Sequence, residues 1–299
     1  MCGIVGLYLK TPKLEGELGR MTALMLHEMR DRGPDSAGFA VYDRAGNRAK
    51  ITVMGPLETD WDALRRELEQ GPAPDAELRP LEDHAVIETA SGADDIRRWL
   101  LDNRPDLTPL SGGASIEIYK GVGDPDRIAE RYGLPGRSGS HAIAHTRMAT
   151  ESEVTIAGSH PFSTGQDTCL VHNGSLSNHN WLRRDLMRAG ERFQTENDSE
   201  VAAGYLSHRM AEGDSLKSAL ERALVDLDGF FTFAVGTASG FAVLRDPVAC
   251  KPAVIGETDD WVAMSSEFRA IARLPGVKHA AVWEPEPGIV YSWEREQAA

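Results

Sequence analysis

The sequence predicts an α+β fold built on antiparallel sheets. Apolar segments with strand character follow one another across short glycine-containing connections, as in FFTFAV-GTASG-FAVLRD, and this arrangement indicates a β-hairpin. The helix candidates are grouped apart from the strand pairs, which argues against repeated βαβ units and a parallel sheet. Hydrophobic residues make up 41% of the 299 residues and charged residues 26%, a composition typical of a globular protein and not of a disordered chain.

Residues 1–54 predict a strand, a helix and a second strand. The apolar segment CGIVGLYL is the first strand candidate. A helix is expected from about Glu17 to Arg30, because apolar residues recur there at helical spacing and form one face. These residues are Leu18, Met21, Met25 and Met29. DRGPDSAG then ends the helix through its glycines and proline, and GFAVYD predicts the second strand.

Residues 55–140 have a less regular pattern and are expected to elaborate the scaffold. Helices are predicted from Trp61 to Gln70 and from Asp94 to Leu101, and HAVIETA and ASIEIYKG are typical of strands. No linker of distinct composition separates this zone from the rest of the chain. We therefore expect one domain over residues 2–299, with an elaboration at about 55–140.

Residues 141–299 are regular again. Strands are predicted at HAIAHT, CLVHN, FFTFAV, FAVLRD, PAVIG and WVAMSS. Helices are predicted for Asn178 to Ala189, Asp198 to Ala211 and Asp214 to Asp226. Asp214 is the expected N-cap of the last helix. Asn197 and Glu200 are spaced as in a capping box at the start of the middle helix.

Charge and cysteine content narrow the classes of function. The 32 basic and 46 acidic side chains give a formal charge of −14, so a nucleic-acid partner is not expected. No apolar run reaches the ~18 residues of a membrane helix, and the first residues lack the basic start of a signal peptide. The three cysteines show no metal-ligand spacing. We therefore expect a cytoplasmic protein with no disulfide framework, no metal and no membrane association.

Cys2 is the first candidate for chemistry. If Met1 is removed, one residue carries both a thiol and an α-amine, and an amine that titrates near ~7.7–8.0 can act as the base for its own thiol. The bland alternative is a small residue that happens to occupy position two. Arg32 and Asp35, in the RGPD segment, lie between the first helix and the second strand, where they can brace the N-terminal residues. The alternative for that segment is a plain turn.

Three later segments carry groups suited to binding an amino acid, and each has an ordinary structural alternative. Arg147 follows a predicted strand and can bind a carboxylate through two hydrogen bonds, although a lone arginine more often forms a surface ion pair. Asn173 and Gly174 can supply the two donors of an oxyanion hole, but Asn-Gly is also the commonest hairpin-turn dipeptide. Asp198 can hold an ammonium group or cap a helix.

Together these groups fit a single ligand. Arg147 would bind its carboxylate and Asp198 its ammonium group. Cys2, with the donors of Asn173 and Gly174, would meet a side-chain carbonyl. L-glutamine has these three groups at suitable positions, and asparagine is a shorter alternative.

The chain resembles the class II glutamine amidotransferases, which are N-terminal-nucleophile hydrolases. The matching segments occur in the family's order and span nearly the whole chain. They are MCGIVG, RGPDSAG, HTRMAT, SHPF, VHNG, NDSEV, LDGFFTFAV, RDPVACKP and SSE. The combination is specific, although no single segment is.

The resemblance implies a four-layer αββα fold and roles for six residues. The catalytic residues it implies are Cys2 as the mature N-terminal nucleophile and Asn173 and Gly174 as the oxyanion hole. The substrate-binding residues are Arg147, Thr150 and Asp198. Structural support is expected from Arg32, Asp35 and His160. Cys2 would attack the glutamine amide, ammonia would leave, and water would cleave the γ-glutamyl thioester.

Two features distinguish the chain from familiar members of this family. Met148 and Glu151 stand where members that make amino sugars commonly carry Trp and a polar residue such as His. The long zone 55–140 is similar to the amidotransferase part of glutamate synthases and of stand-alone subunits like it. No nucleotide-binding fingerprint or acceptor-binding domain is found in the sequence, so we expect no cofactor.

The sequence therefore predicts a glutamine-hydrolysing subunit that supplies ammonia to a separate synthase. The expected partner is a subunit of a glutamate synthase-like or N-methylglutamate synthase complex. Two alternatives stay open: a partner-independent amide hydrolase acting on γ-glutamyl compounds, and a non-catalytic regulatory subunit. The regulatory alternative would tolerate loss of Cys2, and the partner-independent enzyme would not respond to an added acceptor subunit.

Overall fold

Two antiparallel sheets lie face to face at the centre of the molecule, with helices on both outer faces. The computed structural model describes residues 2–43, 46–148 and 154–295. The strands of this part of the chain are β1 Gly3–Leu9, β2 Ser36–Tyr42, β3 Ala49–Met54, β4 Glu77–Leu81, β5 His84–Thr89, β6 Thr108–Gly113, β7 Ile116–Val122, β8 His141–Arg147, β9 Cys169–Leu176, β10 Gly229–Gly236, β11 Gly240–Arg245, β12 Val254–Glu257, β13 Trp261–Ser265, β14 Ala281–Trp283 and β15 Val290–Glu294. The helices are α1 Leu18–Met29, α2 Trp61–Glu69, α3 Ala93–Asn103, α4 Pro125–Arg131, α5 His179–Arg188, α6 Asp198–Ala211, α7 Leu216–Asp226 and α8 Phe268–Ile271.

The larger central sheet has seven strands in the order β14-β12-β13-β1-β8-β2-β7. β1 occupies its middle and pairs antiparallel with β13 on one side and β8 on the other. Successive side chains of a strand point to opposite faces, and in β1 Val5, Leu7 and Leu9 pack against α1. Ile4 and Tyr8 face the second central sheet. All seven residues of β1 are buried, as expected for a strand covered on both faces.

The second central sheet has the order β15-β11-β10-β9. Its inner face packs on the seven-stranded sheet through Val171, Ala234 and Phe241. At one point the two sheets come so close that a Cβ at Gly6 would lie 2.5 Å from the Phe241 ring. Helices α5, α6 and α7 cover the outer face of the second sheet, and α1, α4 and α8 cover that of the first. The α+β class and the αββα layering are therefore confirmed.

A third sheet lies within residues 49–113. Its strand order is β4-β5-β3-β6, and it encloses a separate apolar cluster with α2 and α3. β7 and α4, which follow it in the chain, belong to the central layers. Among the described residues, no helix is long and apolar enough to cross a membrane.

Most predicted elements of the central layers lie where the sequence placed them, and two capping details differ. Ser215, not Asp214, caps α7, accepting a hydrogen bond from the amide of Ser218. Asn197 caps α6 as expected. Glu200, however, accepts hydrogen bonds from the amides of Gln194 and Thr195 instead of closing a capping box on Asn197.

Candidate active site

A pocket of about 910 Å³ opens at the end of the two central sheets where β1 begins. The antiparallel register pairs Gly3 with Thr146, which brings Cys2 beside Arg147 at the end of β8. Residues of β9 line the middle of the pocket, and the start of α6 forms one of its walls. The residues lining it are Cys2, Arg147, Thr155, Gly158, His160, His172, Asn173, Gly174, Ser175, His179, Thr195, Glu196, Asn197, Asp198 and Ser199. Six of the nine sequence-predicted residues thus share one pocket.

Cys2 is partly exposed and its backbone is held by two side chains. The Nε of Arg32 donates to the carbonyl oxygen of Cys2 at 3.0 Å, and the Nδ2 of Asn173 reaches the same oxygen at 3.4 Å. Arg32 is itself fixed by Glu267, whose Oε1 lies 2.6 Å from Nη1. One residue further on, the amide of Ile4 donates to the hydroxyl of Ser266 at 2.9 Å. The thiol-bearing residue is therefore presented on a fixed strand end.

The RGPD segment fastens the end of β8. The amide of Asp35 donates to the carbonyl of Arg147 at 3.1 Å. A Cβ at Gly33 would lie 2.5 Å from the amide nitrogen of Arg147, so only glycine permits this approach. Arg32 and Asp35 thus contact the backbones of Cys2 and Arg147 from outside the pocket. An ordinary turn with no supporting role would not account for these two contacts.

Asn173 and Gly174 lie inside β9 and not in a hairpin turn. Asn173 pairs with Thr232 and Gly174 with Phe231 in the β9–β10 ladder, so the turn alternative is wrong. Gly174 has φ = +153°, and a Cβ there would lie 2.0 Å from the carbonyl oxygen of Phe230. A side chain is therefore excluded on both counts. The Asn173 side chain is directed at Cys2, as its contact with the Cys2 carbonyl demonstrates.

Asp198 stands at the first position of α6, and its carboxylate is held by neutral donors. Oδ2 accepts from the amide of Leu176 at 2.9 Å, and Oδ1 accepts from the hydroxyl of Ser199 at 3.2 Å. The Nδ1 of His172 is 3.9 Å from Oδ1. A negatively charged side chain at the first turn of a helix interacts favourably with the helix dipole. The site therefore presents a negative charge to the pocket.

Arg147 reaches the opposite wall of the pocket. Its Nη1 donates to the carbonyl of Gly158 at 3.4 Å, and that carbonyl also accepts from the Nδ2 of Asn197 at 3.2 Å. Arg147 and Asp198, which carry opposite charges, therefore border one cavity. Thr150, the remaining predicted substrate contact, lies outside the described residues.

Three buried histidines surround the base of the pocket. The rings of His145 and His160 are 4.1 Å apart between centroids, and the Nδ1 of His172 is 2.9 Å from the hydroxyl of Ser199. Burial lowers the pKa of His145 to about 3 and that of His160 well below its usual value. It also lowers the pKa of His172. All three imidazoles are therefore neutral near pH 7.

Sequence reasoning did not single out several residues of this site. Thr155 and Gly158 line the pocket, and no motif marked them. Glu267 lies in the SSE segment, which marked it without indicating that it would pair with Arg32. Among the residues described, no cluster of three or more histidine, cysteine or carboxylate side chains is arranged to hold a metal ion.

Comparison with known proteins places this geometry in a family. Residues 145–273 match the family described as a glutamine amidotransferase domain. The chain is 53% identical over 302 residues to the glutamine amidotransferase-like protein GlxB of Rhizobium meliloti (strain 1021), with 100% of both chains covered. It is 34% identical over 148 residues to a glutamine–fructose-6-phosphate aminotransferase (isomerizing) of Zymomonas mobilis, covering 50% of this chain and 24% of that protein.

The fold is shared with a solved structure. Glutamine phosphoribosylpyrophosphate amidotransferase from B. subtilis, complexed with ADP and GMP, superimposes with a TM-score of 0.61 at 22% identity. The match covers 98% of this chain and 47% of that one, so this chain spans about half its length. With the full-length relative and the shared N-terminal-nucleophile hydrolase fold, these matches show that the chain belongs to the class II glutamine amidotransferases.

Proposed function

We propose that this chain hydrolyses the side-chain amide of L-glutamine on Cys2 and supplies the ammonia to a separate synthase subunit. One observation carries the proposal: Cys2 shares a pocket with Arg147, Asn173, Gly174 and Asp198. An α-amino acid with a side-chain amide needs a cation, an anion and an oxyanion hole. The pocket offers one of each beside a thiol.

Substrate binding uses the two charged walls. The guanidinium of Arg147 binds the glutamine α-carboxylate, and Asp198 binds the α-ammonium group, because charge-assisted hydrogen bonds are the stronger class. Thr150 is proposed to contact the substrate near Arg147. With the α-carboxylate and the α-ammonium group both fixed, the side-chain amide lies toward Cys2.

The chemistry proceeds through a thioester. After removal of Met1, the α-amine of Cys2 accepts the thiol proton and the sulfur attacks the amide carbon. The Nδ2 of Asn173 and the amide of Gly174 stabilise the oxyanion. The C–N bond then breaks, and the nitrogen takes the proton and leaves as ammonia. Water attacks the γ-glutamyl thioester, breaks the C–S bond and releases glutamate with the thiol restored. Burial lowers the pKa of His145 and His160 so far that neither imidazole is basic enough to replace the amine.

The acceptor of ammonia is proposed to lie in a second subunit. The Zymomonas relative carries its matched segment in only 24% of its length, so in that enzyme the rest of the chain is free to serve the acceptor. We propose a glutamate synthase-like or N-methylglutamate synthase complex as the class of partner here. This rests on the resemblance of residues 55–140 to such amidotransferase parts. We also propose a cytoplasmic location, which the three free cysteines support.

Intact-mass measurement tests the nucleophile. The purified chain is weighed before and after 6-diazo-5-oxonorleucine, with and without glutamine as competitor. We expect a chain lacking Met1 that gains one adduct on Cys2, with glutamine suppressing the adduct. A processed chain that forms no adduct would contradict the proposal and favour the regulatory alternative.

Coupled turnover tests the partner. Glutamine hydrolysis is measured with the chain alone and after addition of the acceptor subunit and its substrate. We expect the rate to rise on addition. A rate that is high alone and unchanged by the partner would instead identify a partner-independent amide hydrolase.

A further inference from the structure

Lys120 is a buried cation outside the chemistry described above. It lies on β7 and is 3% exposed. Its Nζ donates to the carbonyl of Ser159 at 2.9 Å, to that of Ala157 at 3.2 Å and to that of Pro161 at 3.5 Å. The ammonium also lies 4.7 Å from the centroid of the Phe162 ring. The buried ammonium group of Lys120 thus binds the backbone of residues 157–161 at three carbonyl oxygens.

Glu200, on α6, is the second buried charge behind the pocket. It is 3% exposed. Its Oε1 accepts from the amide of Gln194 at 2.8 Å, and its Oε2 accepts from the amide and the hydroxyl of Thr195 at 2.8 and 2.7 Å. The buried carboxylate of Glu200 therefore binds the backbone amides of the segment that leads into α6.

These two backbone segments form two walls of the pocket that contains Cys2. Residues 155–160 form the wall that meets Arg147, and residues 195–198 form the wall that carries Asp198. They are joined at the carbonyl of Gly158, which accepts from both Arg147 and Asn197. Behind them, Lys120 and Glu200 line one small cavity of about 20 Å³, which is roomy enough for about one water molecule.

A buried charge is costly unless it is paired and hydrogen-bonded. Backbone carbonyls alone would satisfy the donors of Lys120 but not its charge, and the facing carboxylate of Glu200 supplies the opposite sign. We propose that Lys120 and Glu200 are positioning residues, whose opposite buried charges set the spacing of the two pocket walls and so the separation of Arg147 from Asp198. This rests on the proposed glutamine function and names what fixes the spacing of the two groups that bind the substrate's α-carboxylate and α-ammonium.

The charge of Lys120 responds to pH near neutrality. Burial lowers the pKa of Lys120 to about 8, opposed by the attraction of Glu200. The other ionisable groups around the pair are His84 on β5, His160 in the wall, and Arg97 on α3, which faces Glu200. Burial lowers the pKa of both histidines, so they stay neutral above pH 7. Loss of the Lys120 proton above pH 8 therefore weakens the hold on residues 157–161.

The test compares Lys120→Met with Lys10→Met in the full chain. Lys10 is also partly buried and ion-paired, to Glu257, but lies at the opposite end of β1. The first readout is the glutamine concentration that half-protects Cys2 from 6-diazo-5-oxonorleucine. We expect it to rise about tenfold or more in Lys120→Met, because positioning by a charged hydrogen-bonding group is lost. We expect no change in Lys10→Met. Alkylation of Cys2 by iodoacetamide should keep its rate in both variants.

The second readout is amide hydrogen exchange followed by mass spectrometry, which does not depend on glutamine. Lys120→Met should speed exchange in residues 154–163 and leave β1 and α1 unchanged. Glu200→Gln, which keeps the side-chain shape, should raise the half-protecting concentration less and speed exchange at 194–197. Between pH 7 and 9 the half-protecting concentration should rise more steeply in the wild type than in Lys120→Met.

The outcomes separate the two proposals. If the processed wild type is not labelled at all, the proposed function fails, and the exchange measurement still judges the spacing role. If the wild type is labelled and Lys120→Met and Glu200→Gln match it in protection and exchange, the positioning role is refuted. Faster exchange throughout the chain would also refute it, because the pair would then serve general stability alone.

Discussion

A pocket lies at each end of β1, and the charged side chains of the two pockets have different kinds of partners. At the far end, around Lys10, a pocket of about 720 Å³ is lined by two cations that each pair with a carboxylate. Lys10 pairs with Glu257 at 2.5 Å and Arg295 with Glu15 at 2.7 Å. At the Cys2 end, the pocket of about 910 Å³ holds Asp198 through neutral donors. The two pockets are similar in volume, so volume does not identify the functional one. They differ in the partners of their charged side chains.

Of the variants considered, Cys2→Ala is expected to have the largest effect on activity, and it acts at the Cys2 end of β1. Without the thiol no thioester forms, and glutamine hydrolysis should fall by at least about 10³-fold, a loss typical of removing a nucleophile. Ammonia release from the full chain measures this. Thermal unfolding should stay at the wild-type temperature, since Cys2 is held through its backbone carbonyl. Activity within tenfold of the wild type would remove Cys2 from the chemistry.

Asn173→Ala removes one proposed oxyanion donor. Loss of a single donor of this kind lowers kcat by about 10²–10³-fold, and KM should change little because the amide is not a ground-state anchor. Steady-state kinetics separate the two constants. A rise in KM at constant kcat would show that Asn173 binds substrate instead of stabilising the oxyanion.

Asp198→Asn removes the negative charge of one wall while keeping an oxygen for the amide of Leu176. The ammonium group of the substrate then loses a charged hydrogen bond worth about 1.5–3 kcal/mol. We expect kcat/KM to fall by about 10–100-fold, mainly through KM. The matched check is a ligand without an α-amino group, whose weak binding should be the same in both proteins. An unchanged KM for glutamine would place the ammonium elsewhere.

Lys10→Met should have the smallest effect. The Lys10–Glu257 pair is partly exposed, and such pairs contribute about 0–1 kcal/mol. Denaturant unfolding should shift by no more than this, and glutamine kinetics should equal those of the wild type. A large loss of activity would mean that the far pocket communicates with Cys2 and would end the contrast between the two ends.

Local patterns in the sequence predicted the central layers well. α1 extends over Leu18–Met29, within one residue of the expected ends, because its apolar face alone specifies a helix on a core. The strand β4 shows the opposite case. It is mostly exposed, contains Pro80 and lies at a sheet edge, where proline is tolerated. Alternation is absent there, so no periodicity could have predicted it.

The sequence pointed to most residues of the pocket and to two of their supports, Arg32 and Asp35, but not to all of the supports. The sequence pointed to Cys2, Arg147 and Asp198 through residue type and motif, and the register of β1 with β8 brings the first two together. That register depends on tertiary packing. Asn173 and Gly174 were ambiguous because the same dipeptide favours a turn, and only pairing with β10 decides the matter. Glu200 resembled a cap because its true partners precede it at a distance that a helix motif does not cover.

The central place of β1 also sets the order in which the molecule can be completed. Its neighbours are β8 and β13, and Val5 pairs with Ser265. β1 must therefore wait for a strand that is made much later in the chain, and contacts of such long sequence separation form slowly. Until β13 has been made, β1 lacks one of its two neighbours. A chain truncated before β13 is therefore expected to release no ammonia from glutamine, because the strand end that carries Cys2 is not fixed on that side.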